Sequence, residues 1–349
     1  MNNEAIKRLY SKIEALMNEN KIAGVSIALT DREGIVLSKG FGYADIVKGL
    51  PALDTSYYRA ASITKMVTGV LTMRLVEEGR LSLRDRVTDH LPELVLSNPL
   101  ALENMTLEHL LSHTSGLPGE YTPDGPHDEG MLAESLFTAL PTVELGSMPG
   151  DGKFCYSNWG IRLLSLVIER VMGERYSALA KRYVLDPLGM TDSFFFLPDE
   201  LLDLRSLPHI LTEDGSLASE KTILENYVRL ATGGLYSTAI DLTKLARLFM
   251  RRGVADSGER LLTEESVAKM REPISTLTSG DRYGIVTQLH TTPGGIELAG
   301  HYGSAPPYTS SMFFTEEGDI GAVVMINTKH ATLRREICDL IIDTARREQ

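Results

Sequence analysis

The sequence predicts an α+β fold: one antiparallel β-sheet flanked by the N- and C-terminal helices, with a mostly helical insertion between its strands. Strand-like apolar runs occur early, near residues 24–37, and again after residue 283. Between them, residues 80–230 carry mostly helical patterning. Strands at both ends and helices in the middle imply a sheet assembled from both termini.

Each element has its own signal. Residues 3–19 place Ile6, Leu9, Tyr10, Ile13, Leu16 and Met17 along one side of a helix. Residues 24–30 are β-branched and apolar, Asp31-Arg32-Glu33-Gly34 is turn chemistry, and residues 35–37 return, which makes a hairpin. A helix opens near Ser62, carries Met66, Val70, Met73, Leu75 and Val76, and stops at Gly79, a C-cap glycine. Helical segments follow at 106–111, 132–139, 161–171 and 176–184, and the acidic, Gly/Pro-rich stretch 116–130 reads as a surface loop suited to a lid. Strands are predicted at 283–290, 296–301, 310–315 and 320–326, with Pro293-Gly294-Gly295 and Glu316-Glu317-Gly318-Asp319 as turns. A helix over about 331–347 closes the chain.

Composition narrows the function. The chain has 349 residues, 43% apolar and 23% charged, which is ordinary for a globular protein. A net charge of −12 and a pI near 5.2 argue against nucleic acid and against an anionic membrane surface. Cys155 and Cys338 form no metal or redox spacing and are expected as buried thiols in a reducing compartment. No secretory leader and no membrane-length apolar run is visible, so a cytoplasmic protein is expected, or a periplasmic or secreted one if a leader has been removed.

The chemistry is signalled by Ser62-Ile63-Thr64-Lys65. Serine and lysine three residues apart on a helix share a face, with β-carbons roughly 5–6 Å apart. At that range an ammonium helps to activate a hydroxyl nucleophile. Ser266-Val267-Ala268-Lys269 fits the same pattern, but among Glu264, Glu265, Arg271 and Glu272 it reads as an exposed helix. Only the first has Tyr156-Ser157-Asn158 and His301-Tyr302-Gly303 downstream. A tyrosine is a poor base at neutral pH unless nearby cations favour its phenolate; Lys65 supplies one, and a protonated His301 would add to it.

Two other patterns lose to plainer readings. His109 and His113 have the i, i+4 spacing of a zinc pair, but Leu110 stands where a metalloprotease needs glutamate and no third ligand cluster exists. Capping and packing is the preferred account, and no metal or cofactor is expected. Gly233-Gly234 lacks a following Lys-Ser/Thr and reads as a tight backbone turn rather than a phosphate loop.

The three ordered motifs resemble those of the serine β-lactamase-like superfamily in its class C-type branch. That branch includes class C β-lactamases, D-Ala-D-Ala carboxypeptidases, D-aminopeptidases and esterases. Residues 106–118, 187–191 and 233–238 are similar to the family as well, and the resemblance spans about residues 5–345. It implies a β-lactamase/transpeptidase-like fold, with a sheet domain from 1–62 and 231–349, a helical domain from 63–230, and the site at their interface. It implies Ser62 as the acylated nucleophile and Lys65 with Tyr156 as its proton-shuttling network. Asn158 would hold a substrate amide or the Lys65 ammonium, and residues 301–303 would lie on a strand flanking the site. Backbone N–H groups of Ser62 and Ser304 would form the oxyanion hole.

The implied activity is a serine hydrolase working through a covalent acyl-enzyme on a small ester, amide or short peptide, as an esterase or D-amino-acid-type peptidase. The alternatives are an acyltransferase of the same fold, or a penicilloyl-binding relative that acylates and stalls. Two departures bear on specificity. His301 stands where β-lactamases of this branch have a lysine, so weak or no β-lactamase activity is expected. Ala305-Pro306-Pro307-Tyr308 replaces a turn in which the family often has glycine.

Overall fold

A computed structural model describes residues 1–119, 128–220, 227–330 and 332–348. The core of the predicted lid, residues 120–127, lies outside the described residues.

The chain folds around a nine-stranded antiparallel sheet in the order β3-β2-β1-β13-β12-β11-β10-β9-β8. Its N-terminal strands are β1 (Gly24–Thr30), β2 (Ile35–Asp45) and β3 (Leu50–Pro51). Two small pairs stand apart: β4 (Tyr58–Arg59) with β7 (Tyr236–Ser237), and β5 (His209–Leu211) with β6 (Leu217–Ser219). The C-terminal strands are β8 (Ser275–Thr276), β9 (Arg282–Tyr283), β10 (Gln288–Thr291), β11 (Glu297–Ala305), β12 (Tyr308–Thr315) and β13 (Gly321–Ile326). Val25 pairs with Ile326, so the first and last strands are neighbours and both termini close one sheet, as predicted.

The helices are α1 (Asn3–Glu19), α2 (Thr64–Glu77), α3 (Val87–His90), α4 (Pro99–Asn104), α5 (Leu107–Leu111) and α6 (Leu132–Ala139). They continue with α7 (Asn158–Met172), α8 (Tyr176–Ala180), α9 (Leu230–Gly233), α10 (Ala239–Met250), α11 (Glu264–Arg271) and α12 (Leu333–Arg347). Strand residues alternate between the two sheet faces. Val25, Ile27, Leu29, Val324 and Ile326 pack with Leu9 and Ile13 of α1 and Ile337 and Ile341 of α12. Ala28, Val323 and Met325 join the larger core with Leu245 and Phe249 of α10 and Met66 and Val70 of α2. The terminal helices therefore cover one face and α10 the other, with α2 in the core beyond it. A helix buried all round is a core helix. That describes α2, whose residues from Thr64 to Met73 are all buried, Lys65 included.

Some boundaries differ for local reasons. The predicted strand 283–290 is broken, because Gly284 donates to the Thr287 carbonyl at 2.9 Å and Val286 takes φ 43°. The helix after Tyr176 widens into a π-helical turn, Lys181–Leu185. The second Ser-x-x-Lys is a helix, but Ser266 is buried rather than exposed: Thr263 caps α11 beside it, while Lys269 pairs with Glu108 and Glu272. Among the described residues no helix is long and apolar enough to cross a membrane.

Candidate active site

Ser62 sits in a 3₁₀ turn, Ala61–Ile63, that leads into α2. The turn opens with Ala61 at φ 50°, a conformation uncommon for any residue with a β-carbon. Backbone and side-chain bonds hold it there. The Ala60 N–H donates to the Leu235 carbonyl at 2.8 Å, and Ser310 Oγ donates to the Ala60 carbonyl at 2.8 Å. Thr64 Oγ1 donates back to the Ala61 carbonyl at 2.7 Å.

Lys65 follows one turn along and is fully buried. A buried ammonium is tolerated only when hydrogen bonded. Its Nζ donates to Ser62 Oγ at 3.1 Å and to the Thr232 carbonyl, on α9, at 2.8 Å. Tyr156 lies 94 positions beyond Ser62 in sequence, yet its hydroxyl donates to Ser62 Oγ at 2.8 Å. Lys65 Nζ stands 5.0 Å from the centroid of the Tyr156 ring. The three residues named from two motifs thus meet at one oxygen. Asn158 is the first residue of α7, whose N-cap is Ser157.

The third motif lies on β11. The β10–β11 ladder ends at Gln288↔Gly300, whereas β11 pairs with β12 as far as Ala305↔Tyr308. Residues 301–305 therefore extend past the end of β10, and Ser304 on that extension is exposed. Gly303 packs against the nucleophile turn, where a β-carbon would lie 3.1 Å from that of Ala61. Pro306 and Pro307 form the two-residue connection to β12.

His301 is buried on this strand. Its Nδ1 bonds to the Tyr302 carbonyl, so that nitrogen carries the proton, and Nε2 accepts from the Tyr283 hydroxyl at 2.8 Å. Burial first, then the Lys65 charge, push its pKa down to about 3. At neutral pH His301 is an uncharged imidazole and adds no positive bias to Tyr156. A cation that does act on that region is Arg334, on the first turn of α12, with its guanidinium 5.3 Å from the Tyr302 ring centroid. Burial lowers its pKa, and attraction to Tyr302 and Tyr156 opposes that.

Sequence reasoning missed Thr232, Tyr283, Arg334 and the place of His113. Helix α5 ends at Leu111, so His109 and His113 do not share a helical face. His109 caps α5 instead, its Nδ1 accepting the Thr106 N–H at 3.2 Å. His113 turns inward at φ 57° and its ring centroid lies 4.3 Å from that of Tyr156. Gly233 and Gly234 end a helix instead of forming a separate turn: Gly233 closes α9, and Gly234, its C-cap at φ −85°, donates to the Leu230 carbonyl at 3.1 Å. Cys155 is half-buried and Cys338 buried, and neither forms a disulfide.

A family model described as Beta-lactamase matches residues 9–346. Protein Rv1367c of Mycobacterium tuberculosis is 30% identical over 284 residues, covering 75% of this chain and 70% of that protein. Protein flp of Staphylococcus aureus is 33% identical over 196 residues; the match covers 56% of this chain and 39% of that protein's length. An octameric penicillin-binding protein homologue from Pyrococcus abyssi superposes with a TM-score of 0.82 at 28% identity, covering 97% of this chain and 76% of its own. The D-amino acid amidase of Ochrobactrum anthropi, complexed with L-phenylalanine amide, superposes with a TM-score of 0.82 over 99% of both chains. At 22% identity that second likeness is one of fold.

Proposed function

The chain belongs to the beta-lactamase family, and from that premise we propose that it is a serine hydrolase acting through a covalent acyl-enzyme on small-molecule amides or esters. The observation that carries the reading is the pair of donors on one oxygen: Tyr156 at 2.8 Å and Lys65 at 3.1 Å from Ser62 Oγ. A hydroxyl becomes nucleophilic when a neighbour takes its proton. Here Lys65, held by the Thr232 carbonyl, supplies positive charge and the phenol is the proton carrier. In the first half-reaction Ser62 Oγ bonds to the acyl carbon while its proton passes through Tyr156 to the leaving amine or alcohol. In the second, water adds to the acyl carbon, the Ser62 Oγ–acyl bond breaks to release the carboxylic acid, and a proton from the water returns through Tyr156 to Ser62 Oγ. Asn158 would hold the substrate amide, and the amides of Ser62 and Ser304 would receive the developing oxyanion, a contribution of about 3–4 kcal/mol per donor. The site would lie between a sheet unit, residues 1–62 and 231–349, and a helical unit, residues 63–230.

Substrate choice follows from the neutral His301. With both ring nitrogens engaged and no charge, it offers a substrate carboxylate no ion pair at this position. This favours acyl donors without a carboxylate near the scissile bond, such as aminoacyl amides and short esters, over β-lactam antibiotics. The superposable D-amino acid amidase was crystallised with an amide of that kind. Turnover of short-chain esters, D- and L-aminoacyl amides and nitrocefin, compared on one preparation, tests this. Esters or amides should exceed nitrocefin by at least tenfold in kcat/KM; nitrocefin as the best substrate would reverse the assignment. Accumulation of a stable acyl adduct without turnover would instead make the chain a penicilloyl-binding relative, and preference for added amines over water an acyltransferase.

A further inference from the structure

We propose that His113 is a positioning residue for Tyr156, fixing the phenol on Ser62 Oγ from both sides of the backbone and from its ring face. The inference rests on the reading of Tyr156 as the proton carrier. Three contacts converge on this one tyrosine. The His113 carbonyl accepts the Cys155 N–H at 2.8 Å. Its Nδ1 accepts the Ser157 N–H at 3.2 Å. Its ring lies against the Tyr156 ring at a centroid distance of 4.3 Å and a tilt of 46°. Residues 155 and 157 are therefore both tied to the residue that packs on 156. The tie extends into α7, because Ser157 Oγ caps that helix by accepting the Gly160 N–H at 3.1 Å.

The chemistry requires a histidine rather than any flat ring. An Nδ1 that accepts a backbone N–H places the ring proton on Nε2. That Nε2 is buried and has no hydrogen-bond partner among the described residues. An unmet buried donor carries a desolvation cost that phenylalanine in the same space would avoid. The nitrogen that justifies the cost is Nδ1, the acceptor for Ser157. Burial, helped by the charge of Lys65, keeps the imidazole unprotonated, so Nδ1 stays an acceptor. The left-handed backbone at His113, φ 57°, aims carbonyl and ring at the same segment. Phe154 at 5.7 Å and Tyr283 at 5.1 Å complete the aromatic wall behind it.

The test compares His113→Phe, His113→Asn and His113→Gln. Phenylalanine keeps the ring and loses the acceptor. Asparagine places Oδ1 near the Nδ1 position and tolerates positive φ, whereas the extra methylene of glutamine carries its oxygen past it. Active sites are counted by titration with a fluorophosphonate, and kcat and KM are measured per titrated site on the best ester. Misplacement on the ångström scale costs about a hundredfold. H113F and H113Q should therefore lose kcat by about that factor with KM changed less than threefold, while H113N recovers most of it. A merely structural role would lower the thermal midpoint and the titrated fraction but leave kcat per site alone. Wild-type kcat per site in H113F would overturn the proposal. If H113F does not fold, equal kcat in H113N and H113Q would overturn it. A wild-type protein not labelled at Ser62 would instead sink the serine-hydrolase reading itself.

Discussion

Gly303 passes so close to Ala60 that a β-carbon on the glycine would lie 2.4 Å from the Ala60 carbonyl oxygen. It would also lie 2.1 Å from Ser310 Oγ, the group that anchors that carbonyl. The glycine of the third motif is a requirement of space and not of φ. Its replacement must push β11 away from the turn that carries Ser62. Gly303→Ala should keep its circular dichroism spectrum and lose about a hundredfold in kcat/KM, as an ångström-scale displacement of the site does. Steady-state kinetics of the folded variant check this.

Lys65 offers a second prediction. Its ammonium has acceptors at Ser62 Oγ and the Thr232 carbonyl, and a fully buried position leaves little room for a larger head group. Arginine and lysine are not equivalent at such a site. Both Lys65→Ala and Lys65→Arg should slow acylation by about 10²–10⁴-fold, the range for a group in proton transfer. Pre-steady-state release of the leaving group measures that step directly.

Tyr283 separates stability from chemistry. Its hydroxyl serves His301 Nε2 at 2.8 Å in a fully buried pair. Tyr283→Phe leaves that nitrogen without its donor and should destabilise the fold by about 1–3 kcal/mol. The triad at Ser62 is untouched, so kcat should change far less than in the Lys65 variants. Urea unfolding and kinetics on the same sample provide the comparison.

The pH dependence of stability follows from His301. Its folded pKa of about 3 lies below the ordinary 6.5. The unfolded chain therefore binds a proton below pH 6.5 that the folded chain refuses until about pH 3. The stabilisation is fully present above pH 6.5 and is lost as pH falls through that window, at up to about 1.4 kcal/mol per pH unit. Burial gives His113 the same sign. Urea unfolding between pH 4.5 and 7.5 should show a slope that decreases by about one proton in His301→Gln.

Much of this architecture was legible in the sequence, and the reasons differ by residue. Ser62 and Lys65 are coupled by helix geometry alone, so their spacing was informative before any tertiary contact. The closing of β1 on β13 followed from apolar runs at both ends of the chain. Thr232 contributes through a backbone carbonyl, which leaves no trace in residue identity. Tyr283 and Arg334 reach the site from a strand end and a helix start remote in sequence from Ser62. His113 was legible as a packing residue, but only the left-handed backbone there sends its ring to Tyr156. The charge state of His301 depends on burial, which a strand-end position in the sequence does not reveal.

The most direct measurement is peptide mapping by mass spectrometry after brief exposure to a fluorophosphonate. A single adduct on the peptide containing Ser62, absent in Ser62→Ala and formed much more slowly in Tyr156→Phe, is the expected result. An adduct on another residue, or one that persists in Ser62→Ala, would contradict the account.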